Sequence, residues 1–118
     1  MIIISMPRGD IRPVRFQVYD YQTEQLSQVD FTEIYVTLKK TIHDRNYVFQ
    51  KRLSDGSIEK LDVGDYQFIL VGEDTDSLAF NKSYPFDIEL IYENELKQTE
   101  CGRLEITPEI TCKWNEVK

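Results

Sequence analysis

Apolar residues recur at every second position through most of this chain. Val14, Phe16 and Val18 alternate with Arg15, Gln17 and Tyr19, and Ile34, Val36 and Leu38 with Glu33, Tyr35, Thr37 and Lys39. Tyr66, Phe68 and Leu70 repeat the pattern, as do Phe86, Ile88, Leu90 and Tyr92. A period of two puts one set of side chains on each face of a strand, so these segments read as half-buried strands. A helical period is sustained nowhere. Tyr47, Phe49 and Leu53 continue the alternation, and Ile58 and Leu61 begin a short return strand. Between them "SDGS" at 54–57 reads as a hairpin turn, because Asp-Gly accepts positive φ. Gly64-Asp65 makes another turn. Ile69 and Val71 occupy the second face of their strand, which predicts cover on both sides. Glu93-Asn94-Glu95 makes a hairpin loop before the last long strand, Leu96 to Ile106. Gly102 inside that strand marks a bulge or a close backbone approach, and Pro108 ends it.

The stretch "EDTDSLAFNKSYPFDIEL" at 73–90 then needs an explanation. It is too polar for a buried strand and too short for a packed helix. About seven short strands with turns between them predict a sandwich, in which the chain must cross between sheets before the penultimate strand. A single helical turn over Glu73 to Leu78, capped by Asp74 or Thr75, would make the crossing. Tyr84, two residues before Phe86 as the first inward residue, would bond its hydroxyl back to the backbone as a tyrosine corner. The expected fold is all-β: an immunoglobulin-like antiparallel β-sandwich of about seven strands.

At 118 residues one domain is expected, divided into an N-terminal arm at 1–10 and the sandwich at 11–118. Lys and Arg number 14 against 21 Asp and Glu, a net charge of −7. That balance disfavours phosphate backbones and anionic membranes, so neither nucleic acid nor membrane is an expected partner. The run Met1 to Ile4 is too short for a signal sequence and lacks a basic flank, so synthesis in a cytoplasm is expected. Cys101 and Cys112 lie close together late in the chain, and both are read as free thiols.

The catalytic inventory is poor. His43 stands beside Asp44 in a loop, but adjacency does not make a dyad. Neither cysteine has a CxxC or a basic cluster, and no Gly-rich phosphate loop exists. Zinc lacks ligands. "DTDS" at 74–77 offers two carboxylates to calcium, but Leu78 occupies the third ligand position and the loop glycine is absent. "RGD" at 8–10 reads as a turn into the first strand. No enzyme, cofactor or metal is expected.

"MIII" is the most suggestive short feature. It fits an edge strand of the same domain or a strand added to a neighbour's sheet. Pro7 and Gly9 separate it from the first clear strand, and three Ile point to both faces of any strand they form. Met1, Ile2, Ile3 and Ile4 are therefore the candidate docking residues for a neighbouring protein.

Several blocks occur together in order: "RGDIRPVRFQVYD", "IYVTLKK", "FQKRLSDGSIEK", "GDYQFILVGEDTDSL", "YPFDIEL" and "KQTECGRLEITPEIT". Over nearly its whole length the chain resembles small immunoglobulin-like proteins encoded by phages and prophages of Gram-positive bacteria. It also resembles the N-terminal domain of phage baseplate upper proteins. The resemblance implies a virion location and docking to other virion proteins, with self-association, in a tail, baseplate or head assembly. Baseplate upper proteins continue into a stalk and a receptor-binding region. This chain ends at Lys118, so a stand-alone accessory or decoration protein is expected. An alternative is a carbohydrate- or cell-surface-binding module, with Tyr19, Tyr21, Tyr35 and Trp114 as an aromatic platform.

Overall fold

The computed structural model describes residues 2–108. Its elements are β1 (Ile2–Pro7), β2 (Arg12–Gln17), β3 (Glu33–Leu38), β4 (Phe49–Arg52), β5 (Ile58–Asp62), β6 (Asp65–Leu70), α1 (Gly72–Thr75), β7 (Lys82–Tyr92) and β8 (Glu95–Thr107). They form two sheets, ordered β1-β8-β7-β3-β4 and β2-β6-β5. The alternating residues supply one shared core: Ile34, Val36 and Leu38 of β3, Tyr66, Phe68 and Leu70 of β6, and Phe86, Ile88 and Leu90 of β7. Each such side chain contributes about 1.5–3 kcal/mol by leaving water. Phe16 stacks on Tyr66 with ring centroids 5.6 Å apart, which closes the β2 side of that core.

The N-terminal segment is the largest correction. Residues 2–7 are not a separate arm but a strand of the five-stranded sheet, parallel to β8 from Ile2↔Gly102 to Pro7↔Thr107. The boundary at residue 10 therefore divides nothing. The reason lies in the alternation: Met6 extends the inward set begun by Ile4, and both are buried. Ile3 and Ser5 face out. Only one face of the Ile run needs cover, and the domain supplies it. This parallel pair also makes the sheet mixed rather than antiparallel.

The "SDGS" turn is not a hairpin. It carries the chain from β4 in one sheet to β5 in the other. Gly56 takes φ +83°, and Asp55 accepts the Ser57 N–H at 2.9 Å. Asp-Gly signals the reversal, but the burial of Ile58 opposite Phe68 decides which sheet receives the strand. The β7–β8 loop is a true hairpin, reduced to two residues: Glu93 and Asn94 both adopt positive φ while Tyr92 pairs with Glu95.

Gly102 is a close approach. A Cβ there would sit 2.3 Å from the Phe86 ring and 2.7 Å from the Ile2 carbonyl oxygen. The register shift in this pair falls elsewhere, between Leu90 and Ile91. Ile69 and Val71, expected under cover, are exposed on the outer side of the three-stranded sheet. No further layer packs there among the described residues.

Between β6 and β7, α1 makes the crossing. Asp74 does not cap as its first residue. It sits in the third helical position, and its carboxylate reaches back to the Val71 N–H at 2.9 Å. The same carboxylate pairs with Lys51 at 2.8 Å, largely shielded from solvent, and so ties the turn to β4. Thr75 is buried and its hydroxyl accepts the Gly9 N–H at 2.8 Å. Tyr84 is itself the first buried residue of β7, ahead of Phe86. Its hydroxyl accepts the Ala79 N–H at 2.8 Å, the geometry of a tyrosine corner.

Candidate functional site

An edge strand presents unpaired backbone, and most proteins blunt it with charge, proline or a bulge. Among the described residues this sandwich has four edge strands, and three are blunted. β2 carries Arg12, Pro13 and Arg15. β4 is four residues long and ends Lys51-Arg52. β5 carries Glu59, Lys60 and Asp62 and is interrupted by a register shift. β1, "IIISMP", has no charge at all.

Backbone direction in β1 follows from the neighbouring ladders. The Lys39 N–H donates to the Pro85 carbonyl at 3.1 Å, so odd residues of β7 face β3 and even ones face β8. Their partners Gly102, Leu104 and Ile106 therefore face β7, and Arg103 and Glu105 face β1. In a parallel ladder the residues flanking each such partner do the bonding. Ile2, Ile4 and Met6 thus turn their backbone to β8, while Ile3, Ser5 and Pro7 turn theirs to the open side. Pro7 is tolerated in a paired strand for this reason, since its missing N–H would have faced outward. Ile3 is 59% exposed and adds an apolar side chain beside this edge. Of the candidate docking residues, Ile4 is thus in the core, Ile2 and Ile3 are at the surface, and Met1 lies outside the described residues.

The other sequence candidates disperse. His43 is exposed, and Asp44 accepts from Thr41. Arg8 of "RGD" packs over the Phe80 ring at 4.2 Å and donates to the Leu78 carbonyl, so the tripeptide is clamped to the crossing turn. Asp74 of "DTDS" is held by Lys51 and the Val71 N–H. Cys101 is a free, exposed thiol, and Cys112 lies outside the described residues. Tyr19 and Tyr21 share one cleft, whereas Tyr35 lies on the outer face of β3 with the Arg52 guanidinium 5.5 Å over its ring. Trp114 lies outside the described residues.

The outer face of the five-stranded sheet also holds a shallow pocket of about 260 Å³ beside Ile42, Asp87 and Cys101. Burial pushes the Asp87 carboxyl above its ordinary range, and Lys39 partly offsets this. Sequence reasoning gave Asp87 no role. Its only signal was a carboxylate on a central strand of alternating residues.

No protein-family model matches the chain, and no curated protein matches its sequence. Among solved structures, the NK cell receptor Nkp44, described as a triggering partner in natural cytotoxicity, is similar. Its TM-score is 0.55 at 10% identity, over 90% of this chain and 97% of that one. At that identity the likeness concerns architecture: the chain is an all-β, immunoglobulin-like sandwich.

Proposed function

We propose that the chain is a non-enzymatic structural component of a phage particle, a tail, baseplate or head accessory protein, acting by docking to other virion proteins and to itself. The observation that carries the docking is the uncharged open edge of β1, where Ile3 and Ser5 present backbone groups without a partner strand among the described residues. The particle assignment rests on the sequence blocks that resemble phage immunoglobulin-like proteins. Mass spectrometry of purified particles, separated into heads and tails, tests it. The chain is expected in one fraction at a fixed ratio to that fraction's major protein. Its absence from both would end the particle reading.

The alternative is a carbohydrate- or cell-surface-binding module. What favours it is the pairing of Tyr19 and Tyr21 with Gln98 and Glu100 around one cleft, aromatic faces beside polar groups. A glycan-array signal lost on Tyr21→Ala would support that reading over docking.

A further inference from the structure

β8 is 13 residues long, but β1 pairs only with its last six, 102–107. Among the described residues, 95–101 have no neighbour on that side of the sheet. By the alternation derived above, Glu100 and Gln98 turn their backbone to β7, and Thr99 and Cys101 turn theirs to the open side. Among the described residues no backbone bond outside the strands reaches Thr99 or the Cys101 N–H.

Directly beneath this edge the two sheets part. A cleft of about 250 Å³ opens there, floored by Phe16, Ile88 and Leu90 and rimmed by Tyr19, Gln98 and Glu100. Ile88 and Leu90 are core residues that pair with Glu100 and Gln98, so the cleft reaches the core itself. The rim is polar and carries one charge. The Glu100 carboxylate accepts from the Gln98 amide at 2.6 Å and from the Tyr21 hydroxyl at 3.2 Å, and no cation pairs with it among the described residues. It holds the Tyr21 phenol above its ordinary range, by its charge first and by that bond second.

We infer that the open half of β8 is a receptor for an extended segment of a partner protein. The segment continues the line of β1, bonds its backbone to Thr99 and Cys101, and lays alternate side chains over the cleft. One inward side chain is apolar and covers Ile88 and Leu90. Another is a lysine or arginine that meets Glu100. A second copy of this chain is the poorer occupant. About a two-fold axis Glu100 would approach its own mate, on a chain whose net charge is already −7. This edge is distinct from that of β1 and does not depend on the particle assignment.

The test uses the isotope-labelled full chain and an acetylated, amidated heptapeptide, Thr-Val-Thr-Lys-Thr-Val-Thr, with its Lys→Glu counterpart as control. Amide shifts should move at 95–101 and at Tyr21, with an affinity of about millimolar or better. The Glu peptide should bind at least about tenfold more weakly, and Glu100→Lys should reverse that preference. Thr99→Pro removes an N–H that faces outward, so it should abolish binding while the unfolding midpoint holds. Equal binding of the two peptides, or no shift at several millimolar, would overturn the inference. Shifts confined to residues 2–7 would also overturn it, while leaving docking through β1 intact.

Discussion

The Gly9 N–H donates to the buried Thr75 hydroxyl at 2.8 Å, joining the chain that leaves β1 to the turn that precedes β7. Two segments far apart in sequence are thereby locked at the end of the sandwich where the chain changes sheets. Thr75→Val keeps the shape and leaves the Gly9 N–H without its acceptor. A loss of about 1–3 kcal/mol is expected in a urea titration, with Thr75→Ser retaining most of the stability. Equal midpoints for Val and Thr would show that the bond contributes nothing.

Tyr84→Phe should cost about 1 kcal/mol or more, because the Ala79 N–H loses the acceptor it has at 2.8 Å. Tyr84 is buried and stands two strands in from β1, so association should be unaffected. Sedimentation and denaturation on the same sample check both halves.

Gly102→Ala should destabilise by about 1–3 kcal/mol and loosen β1 first. The Phe86 ring can tilt away, but the Ile2 carbonyl, 2.7 Å from the new Cβ, belongs to the ladder itself. Limited proteolysis should cut near residues 2–7 in this variant before any other site. Phe86 stands two residues after the corner tyrosine, where antibody domains place the second cysteine of their inter-sheet disulfide. Here an aromatic ring packed against a glycine fills that place.

Acidification should act in two opposite stages. Burial holds Asp87 above the ordinary carboxylate range, so its ionised form destabilises the fold near neutral pH. That burden is relieved as pH falls from its native value toward the unfolded one, about 3.9. Asp65 is held low by the Arg15 guanidinium, against the effect of burial. Burial pushes Glu33 upward, but bonds from Ser54 and the Ile34 N–H prevail and hold it low. Their contributions are present above the unfolded values, about 3.9 and 4.3, and are lost as pH falls through the lower native ones. Unfolding midpoints measured against pH should rise and then fall. Asp87→Asn should remove the rise alone, and Arg15→Gln should weaken the fall.

The sandwich was legible because β2, β3 and β7 alternate apolar and polar residues, and Tyr84 was legible because a tyrosine after a polar crossing fits the tyrosine corner. What stayed hidden depended on contacts distant in sequence. An Asp-Gly turn looks the same whether it joins neighbouring strands or two sheets, so the β4–β5 crossing was misread as a hairpin. Three consecutive Ile hide their alternation, and only Met6 reveals that Ile4 faces inward. The contrast among edges was invisible until the sheet order showed which strands are edges. The open half of β8 needed the register, since nothing in "ELKQTEC" says where its neighbour stops.

Because Ile4 and Met6 belong to the core, deleting the N-terminal residues would confound folding with docking. Ile3→Lys separates them, since that side chain is exposed and its backbone faces the open edge. The most direct measurement is the amount of chain recovered in purified particles assembled with Ile3→Lys, compared with wild type, alongside the unfolding midpoint of each. The account predicts an unchanged midpoint and at least about a tenfold loss from particles. Full incorporation of a normally folded Ile3→Lys chain would contradict it and place the docking surface elsewhere.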